Sequence, residues 1–194
     1  MRTPSATRRA RPAPSLTREQ WADAALLSLA GGVEALAVEP LARQLGVTKG
    51  SFYWHFRDRA ELLAAALERW EVLATDAIIG RLEAEPTARE RLRALLVQVF
   101  SEDPRQEVEA AIAASAGHPQ VQPVLVRVAE RRVAYLETLY RGLGLGAAEA
   151  RCWALQAYST YVGLLHLSRS SPAVLRTRRG RGDYLRHLLR TLMP

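Results

Sequence analysis

Lysine is almost missing from this chain: Lys49 is the only one among 27 basic residues, and all the others are arginine. Cysteine is as scarce. Cys152 alone excludes an internal disulfide framework and a multi-cysteine metal site. It falls inside an apolar helical pattern, so a buried structural thiol is expected. No apolar run reaches the ~18–20 residues that cross a bilayer. The N-terminal arginines lead into a proline-rich stretch where a signal peptide would have its apolar segment. A soluble cytoplasmic protein without a membrane partner is expected. Strand-like alternation and repeats of about 20–50 residues are both lacking. There is no phosphate loop, no H-E-x-x-H pair and no evident partner to activate Cys152. Neither a cofactor nor a metal is expected, and a helical enzyme is the remote alternative.

What is present is a globular composition, 48% hydrophobic and 24% charged, enough for a real core. The net charge of +7 is unevenly spread. Residues 1–60 carry nine basic and five acidic side chains, residues 61–169 twelve and fourteen, and residues 170–194 six and one. A basic front on a near-neutral body is the footprint of a domain that meets phosphate. Residues 1–15, with Pro4, Pro12 and Pro14, read as a flexible basic arm.

The remainder reads as helix throughout, an all-α fold. Thr17 with Gln20, Asp58 with Glu61 and Thr87 with Glu90 are capping boxes. A second helix is expected from about Ala37 to Leu45, with Pro40 tolerated in its first turn. Gly46 then supplies a left-handed turn, and Thr48 caps a third helix. A long helix follows through Leu62, Leu67, Trp70 and Ile78. Later helices begin near Pro104, after His118-Pro119, at Ala147 and near Gly182, and Ser171-Pro172 stops the one from Ala147.

The segment Val47-Thr48-Lys49-Gly50-Ser51-Phe52-Tyr53-Trp54-His55-Phe56 is the richest in chemistry. With Leu41 to Gly46 it makes two short helices joined by a tight turn, the unit that sets a helix in the major groove. Leu45, Val47 and Phe52 point into a three-helix core. Thr48, Lys49, Ser51, Tyr53, Trp54 and His55 are left on the first turns and outer face. There, free N–H groups and the positive helix end favour phosphate, and exposed side chains can reach base edges.

These residues resemble the signature of the TetR family of bacterial transcriptional repressors, roughly L-A-x-x-L-G-V-[ST]-x-G-[ST]-[LF]-Y-x-H-F-x-x-[KR]-x-x-L-L. Leu41, Ala42, Leu45, Gly46, Val47, Thr48, Gly50, Ser51, Phe52, Tyr53, His55, Phe56, Arg59, Leu62 and Leu63 match it. The resemblance implies a helix-turn-helix DNA-binding domain over 16–60 and a helical ligand-binding and dimerisation domain over 61–194. It implies DNA contacts from Thr48, Lys49, Ser51, Tyr53, Trp54 and His55, with a phosphate contact from Arg59. The family usually has Ser or Thr where Ala37 stands, which should weaken that cap by ~0.5–2 kcal/mol. Trp54 has two readings, packing on the sugar-phosphate backbone or packing intramolecularly. The arm likewise either enters the minor groove through Arg2, Arg8, Arg9 and Arg11 or adds only electrostatic attraction.

The helix from Ala147 to Ser168 is apolar on most faces and expected to be buried all round. Its small residues Ala154, Ala157, Ser159 and Gly163 suit close contact in a homodimer. Trp70, Phe100, His118, Trp153, Gln156, Tyr158, Tyr161 and His166 are candidate pocket residues, although each has a simpler reading as a core or capping residue. The Arg176–Arg181 cluster reads as a solvated loop. The expected function is a homodimeric repressor released from a palindromic double-stranded operator by a small molecule of unknown identity. A ligand-insensitive or co-repressor-requiring regulator is the alternative.

Overall fold

The computed structural model describes residues 16–101, 103, 105–175 and 181–194. The arm, Pro104 and residues 176–180 of the arginine cluster lie outside them. The described residues form α1 (Arg18–Ser28), α2 (Val38–Gln44), α3 (Lys49–Tyr53), α4 (Arg59–Glu71), α5 (Ala77–Leu82), α6 (Ala88–Phe100), α7 (Arg105–Ala114), α8 (Gln122–Gly142), α9 (Ala147–Ser170), α10 (Pro172–Leu175) and α11 (Arg181–Thr191), with no strand among them.

Local chemistry sets several of these boundaries. Thr17 accepts from the Gln20 N–H at 3.2 Å while the Gln20 side chain accepts from the Thr17 N–H at 2.8 Å, and Thr87 with Glu90 repeats the arrangement. The third box is only half made. Asp58 accepts from the Glu61 N–H at 2.8 Å, but the Glu61 carboxylate accepts from the Arg57 N–H at 2.9 Å instead of closing back on Asp58. Gly46, at φ +67°, ends α2: the Val47 N–H bonds the Ala42 carbonyl at 3.0 Å and the Gly46 N–H bonds that of Arg43 at 3.2 Å. Thr48 holds the N-cap position of α3, yet its hydroxyl makes no capping bond; its carbonyl accepts from Ser51 N–H at 3.0 Å.

Between α4 and α5 the chain does not break. Val72–Asp76 forms a π turn, and the Ala77 N–H reaches back to the Val72 carbonyl. What reads in sequence as one long helix is therefore two α segments with one wide turn between them.

One apolar cluster joins Trp21, Phe52 and Phe56 to the buried face of α4 and continues into Val108, Ile112, Val121, Val124 and Val128 of the body. The expected border at residue 60 is thus no gap in packing. A second cluster brings α6, α8, α9 and α11 together around Leu96, Phe100, Tyr140, Tyr161 and Leu188. At its end α8 touches the start of α6, where a Cβ added to Gly142 would lie 2.6 Å from Ala88 Cβ. Gly142→Ala would help an isolated helix, but here overpacking should dominate and cost about 1–3 kcal/mol. Urea denaturation measures it, and a gain in stability would mean that the two helices part easily.

Two expectations for α9 are corrected. Cys152 is exposed, as are Leu155, Ser159, Val162, Gly163 and His166, so this helix is not buried all round within one chain. Ala154 and Ala157 face the chain's own core at 0% and 3% exposure, which leaves Ser159 and Gly163 as the outward small residues. The apolar pattern was genuine, but periodicity does not say which faces a single chain covers.

Candidate nucleic-acid interface and internal cavity

Helix α3 has five residues, too short to hold itself. Phe52 anchors it, fully buried, stacked on Phe56 at 5.5 Å and edge-on to Trp21 at 5.6 Å. Burying Phe52 turns its neighbours outward. Thr48, Lys49, Tyr53 and Trp54 are exposed, while Ser51 and His55 are half-buried beside them. Trp54, 87% exposed, makes no ring contact among the described residues, so intramolecular packing is ruled out for it in this structure.

Arg59 is placed differently from the rest. Its Nε donates to the Leu36 carbonyl at 2.8 Å and one Nη to that of Val33 at 2.6 Å. It ties the turn before α2 to the start of α4, so these two donors serve the fold of the helix-turn-helix. The signature position alone does not reveal this, because the carbonyls lie more than twenty residues away in sequence.

Lys49 has a partner that sequence reading did not find. Its Nζ meets the Glu39 carboxylate of α2 at 2.6 Å, with both side chains at least half exposed. The hydrogen bond from Lys49 holds Glu39 below the usual carboxylate range, and the same bond raises Lys49. With a lowered carboxylate, the pair is present at neutral pH and is lost only as pH falls through the depressed value. A phosphate brought to this ammonium would have to compete with Glu39. Glu39→Gln should tighten general DNA binding and steepen its salt dependence by about one unit of slope. Affinity measured across a salt series checks this, and an unchanged slope would mean the pair does not restrain Lys49.

The second candidate site lies in the body. An inner cavity of about 70 Å³ sits between α5, α6, α8 and α9, and an outer chamber of about 310 Å³ opens beside it towards α1. Phe100, Tyr158 and Tyr161 line the inner space, and Trp70 with Tyr161 the outer one. The other four expected pocket residues do not line either space. His118 Nδ1 accepts from the Gln120 N–H at 3.2 Å in the turn before α8; Trp153 packs on Tyr140 at 5.8 Å; Gln156 and His166 point outward.

Two charged residues at the heart of the cavity were missed. Arg132 is bonded to Glu109, both nearly buried, and it also donates to Thr75 Oγ1 at 3.0 Å and the Ala74 carbonyl at 2.9 Å. Its guanidinium lies over the rings of Trp70, at 5.6 Å, and Tyr161, at 5.9 Å. Arg132 thus holds the π turn as well as the carboxylate. Burial, with the Glu109 carboxylate adding to it, pushes the Tyr161 hydroxyl well up, and burial with a bond to Glu83 pushes Tyr135 up to about 12. A signal was available: Arg132 occupies the buried four-residue step Val124, Val128, Leu136, Tyr140.

No helix of the described residues is long and apolar enough to cross a membrane. The profile of "Bacterial regulatory proteins, tetR family" matches residues 23–66, which hold α2, α3 and parts of α1 and α4. The HTH-type transcriptional regulator AcrR of Shigella flexneri is 34% identical over 98 residues, covering 47% of this chain and 43% of that protein. The chain thus spans less than half the length of this relative. The fold extends further than the sequence likeness. A TetR transcriptional regulator from Legionella pneumophila superposes with a TM-score of 0.76 at 17% identity, over 93% of this chain and 99% of that one. AibR in complex with isovaleryl coenzyme A and operator DNA gives 0.68 at 17%, over 92% and 99%. Over residues 23–66 the chain thus matches the tetR family of bacterial regulatory proteins in sequence, and over its described length it shares the fold of the two solved structures.

Proposed function

We propose that the protein is a sequence-specific DNA-binding regulator that acts as a homodimeric repressor and leaves its operator when a small molecule fills the body. The observation that carries this reading is the outward row Thr48, Lys49, Tyr53 and Trp54 on a helix locked from behind by Phe52. Ser51 and His55 flank the row as further hydrogen-bonding groups, and Trp54 offers a flat face to the sugar-phosphate backbone. The α3 N-terminus with Lys49 supplies phosphate contacts, and Tyr53 lies where a base edge can be read.

Two heads are needed to read a palindrome at a fixed spacing of ~34–36 Å. The outward face of α9, with Leu155, Ser159, Val162 and Gly163, supports pairing there through an interface that relates one copy to the other by a two-fold axis. AibR, similar in fold, has been seen with isovaleryl coenzyme A and operator DNA, which supports reading the present cavity as the effector site. Selection from a random DNA library, repeated with a metabolite panel, tests the reading. A palindromic site that a metabolite releases is expected. Failure to select any palindrome at moderate salt would overturn it.

A further inference from the structure

We infer that the cavity takes an uncharged, largely apolar molecule carrying one hydrogen-bonding group, which meets Tyr158. This rests on the proposed effector role and adds the ligand's chemical class. The two spaces share Ala74, Ile78, Val99, Glu109 and Tyr161, so Glu109 and Tyr161 form a waist between an outer and an inner end. Three carboxylates and three guanidiniums line them, and each carboxylate already has a guanidinium: Asp23 with Arg69 at 2.5 Å, Asp103 with Arg105 at 2.6 Å, and Glu109 with Arg132.

The first two pairs are partly exposed at the mouth and discriminate little. The third decides. An anionic ligand reaching the waist must draw Arg132 away from Glu109 and strand a carboxylate that is 8% exposed. A cationic ligand must displace Arg132, which already occupies the aromatic faces of Trp70 and Tyr161. An uncharged ligand leaves the pair intact.

The size and lining agree with this. The outer chamber lies at the lower end of the ~300–1,000 Å³ typical of ligand sites, and Leu26, Leu27, Leu73 and Val99 offer it apolar walls. The inner space admits only a small end group. Tyr135 is committed there to Glu83, whereas the Tyr158 hydroxyl has no hydrogen-bond partner among the described residues. Leu26 and Leu27 belong to α1, so an apolar body in the outer chamber touches the reading head and the sensing body together.

The test uses one ring skeleton in three charge states: 2-naphthol, 2-naphthoate and (2-naphthylmethyl)trimethylammonium, titrated calorimetrically into the full chain at pH 7. 2-Naphthol should bind at least tenfold tighter than either ion, Tyr158→Phe should weaken it several-fold, and it should lower affinity for the selected DNA site. A charged probe that binds as tightly or more tightly overturns the ligand class; if it also releases DNA, the effector role survives. Naphthol binding that leaves DNA affinity unchanged overturns the effector role and leaves the ligand class standing. No binding of naphthol, or equal affinity in the Tyr158→Phe protein, overturns the inference itself.

Discussion

Replacing Arg132 by methionine should destabilise the fold by about 3–5 kcal/mol, because Glu109 is left charged and unpaired in a nearly dry site. For a chain of this length the melting temperature should fall by about 6–20 °C, compared at equal protein concentration because pairing of chains also contributes. The loss comes from the orphaned charge and far less from the missing attraction. Replacing both partners, Arg132→Met with Glu109→Leu, should therefore recover most of it. A loss below about 1 kcal/mol in the single variant would mean that water reaches the pair freely. The double variant also frees the Ala74 carbonyl and the Thr75 hydroxyl, so it separates the pair's part in stability from its hold on the π turn.

Phe52→Ala should be just as damaging, though confined to the reading head. Truncating a fully buried phenylalanine costs about 3–5 kcal/mol. A five-residue helix has no internal stability to draw on once its anchor is gone. Affinity for the selected site should drop at least a hundredfold, whereas α6, α8, α9 and α11, held by the separate second cluster, keep their helical signal. Trp54→Ala is the contrast. That side chain is 87% exposed, so stability should stay within ~0.5 kcal/mol while DNA affinity falls by tenfold or less. A head that still binds DNA tightly without Phe52 would show that the DNA itself folds α3.

The parts legible in the sequence are those decided within one or two turns of chain. Thr17 with Gln20, Thr87 with Glu90 and Gly46 act on backbone groups a few residues away, and each behaves as its local chemistry requires. Phe52 was legible because a helix start with one apolar face needs an anchor. Glu109 and Arg132 were not, because their pairing depends on α7 meeting α8. An arginine inside an apolar stripe announces only that some partner exists. Cys152 failed for a related reason: α9 shows apolar residues on several faces, and which of them its own chain covers is settled by α7 and α8, outside the helix itself. Arg59 matches a family signature, but the carbonyls of Val33 and Leu36 that it serves appear only once the head is folded.

The π turn at Val72–Asp76 has a consequence for the counting of residues. Deleting a residue from an ordinary α-helix turns everything beyond it by about 100° and exposes one buried face. Here the chain already carries one residue more than a regular helix would use between Glu71 and Ala77. Removing Ala74 should let α4 and α5 run together with Trp70 still in the first apolar cluster and Leu82 still buried. The same deletion at Ala66, in the regular part of α4, should unfold the protein. Circular dichroism on the two shortened chains reads the difference directly. Among natural relatives, length changes in this helix should fall in these five positions and nowhere else along it.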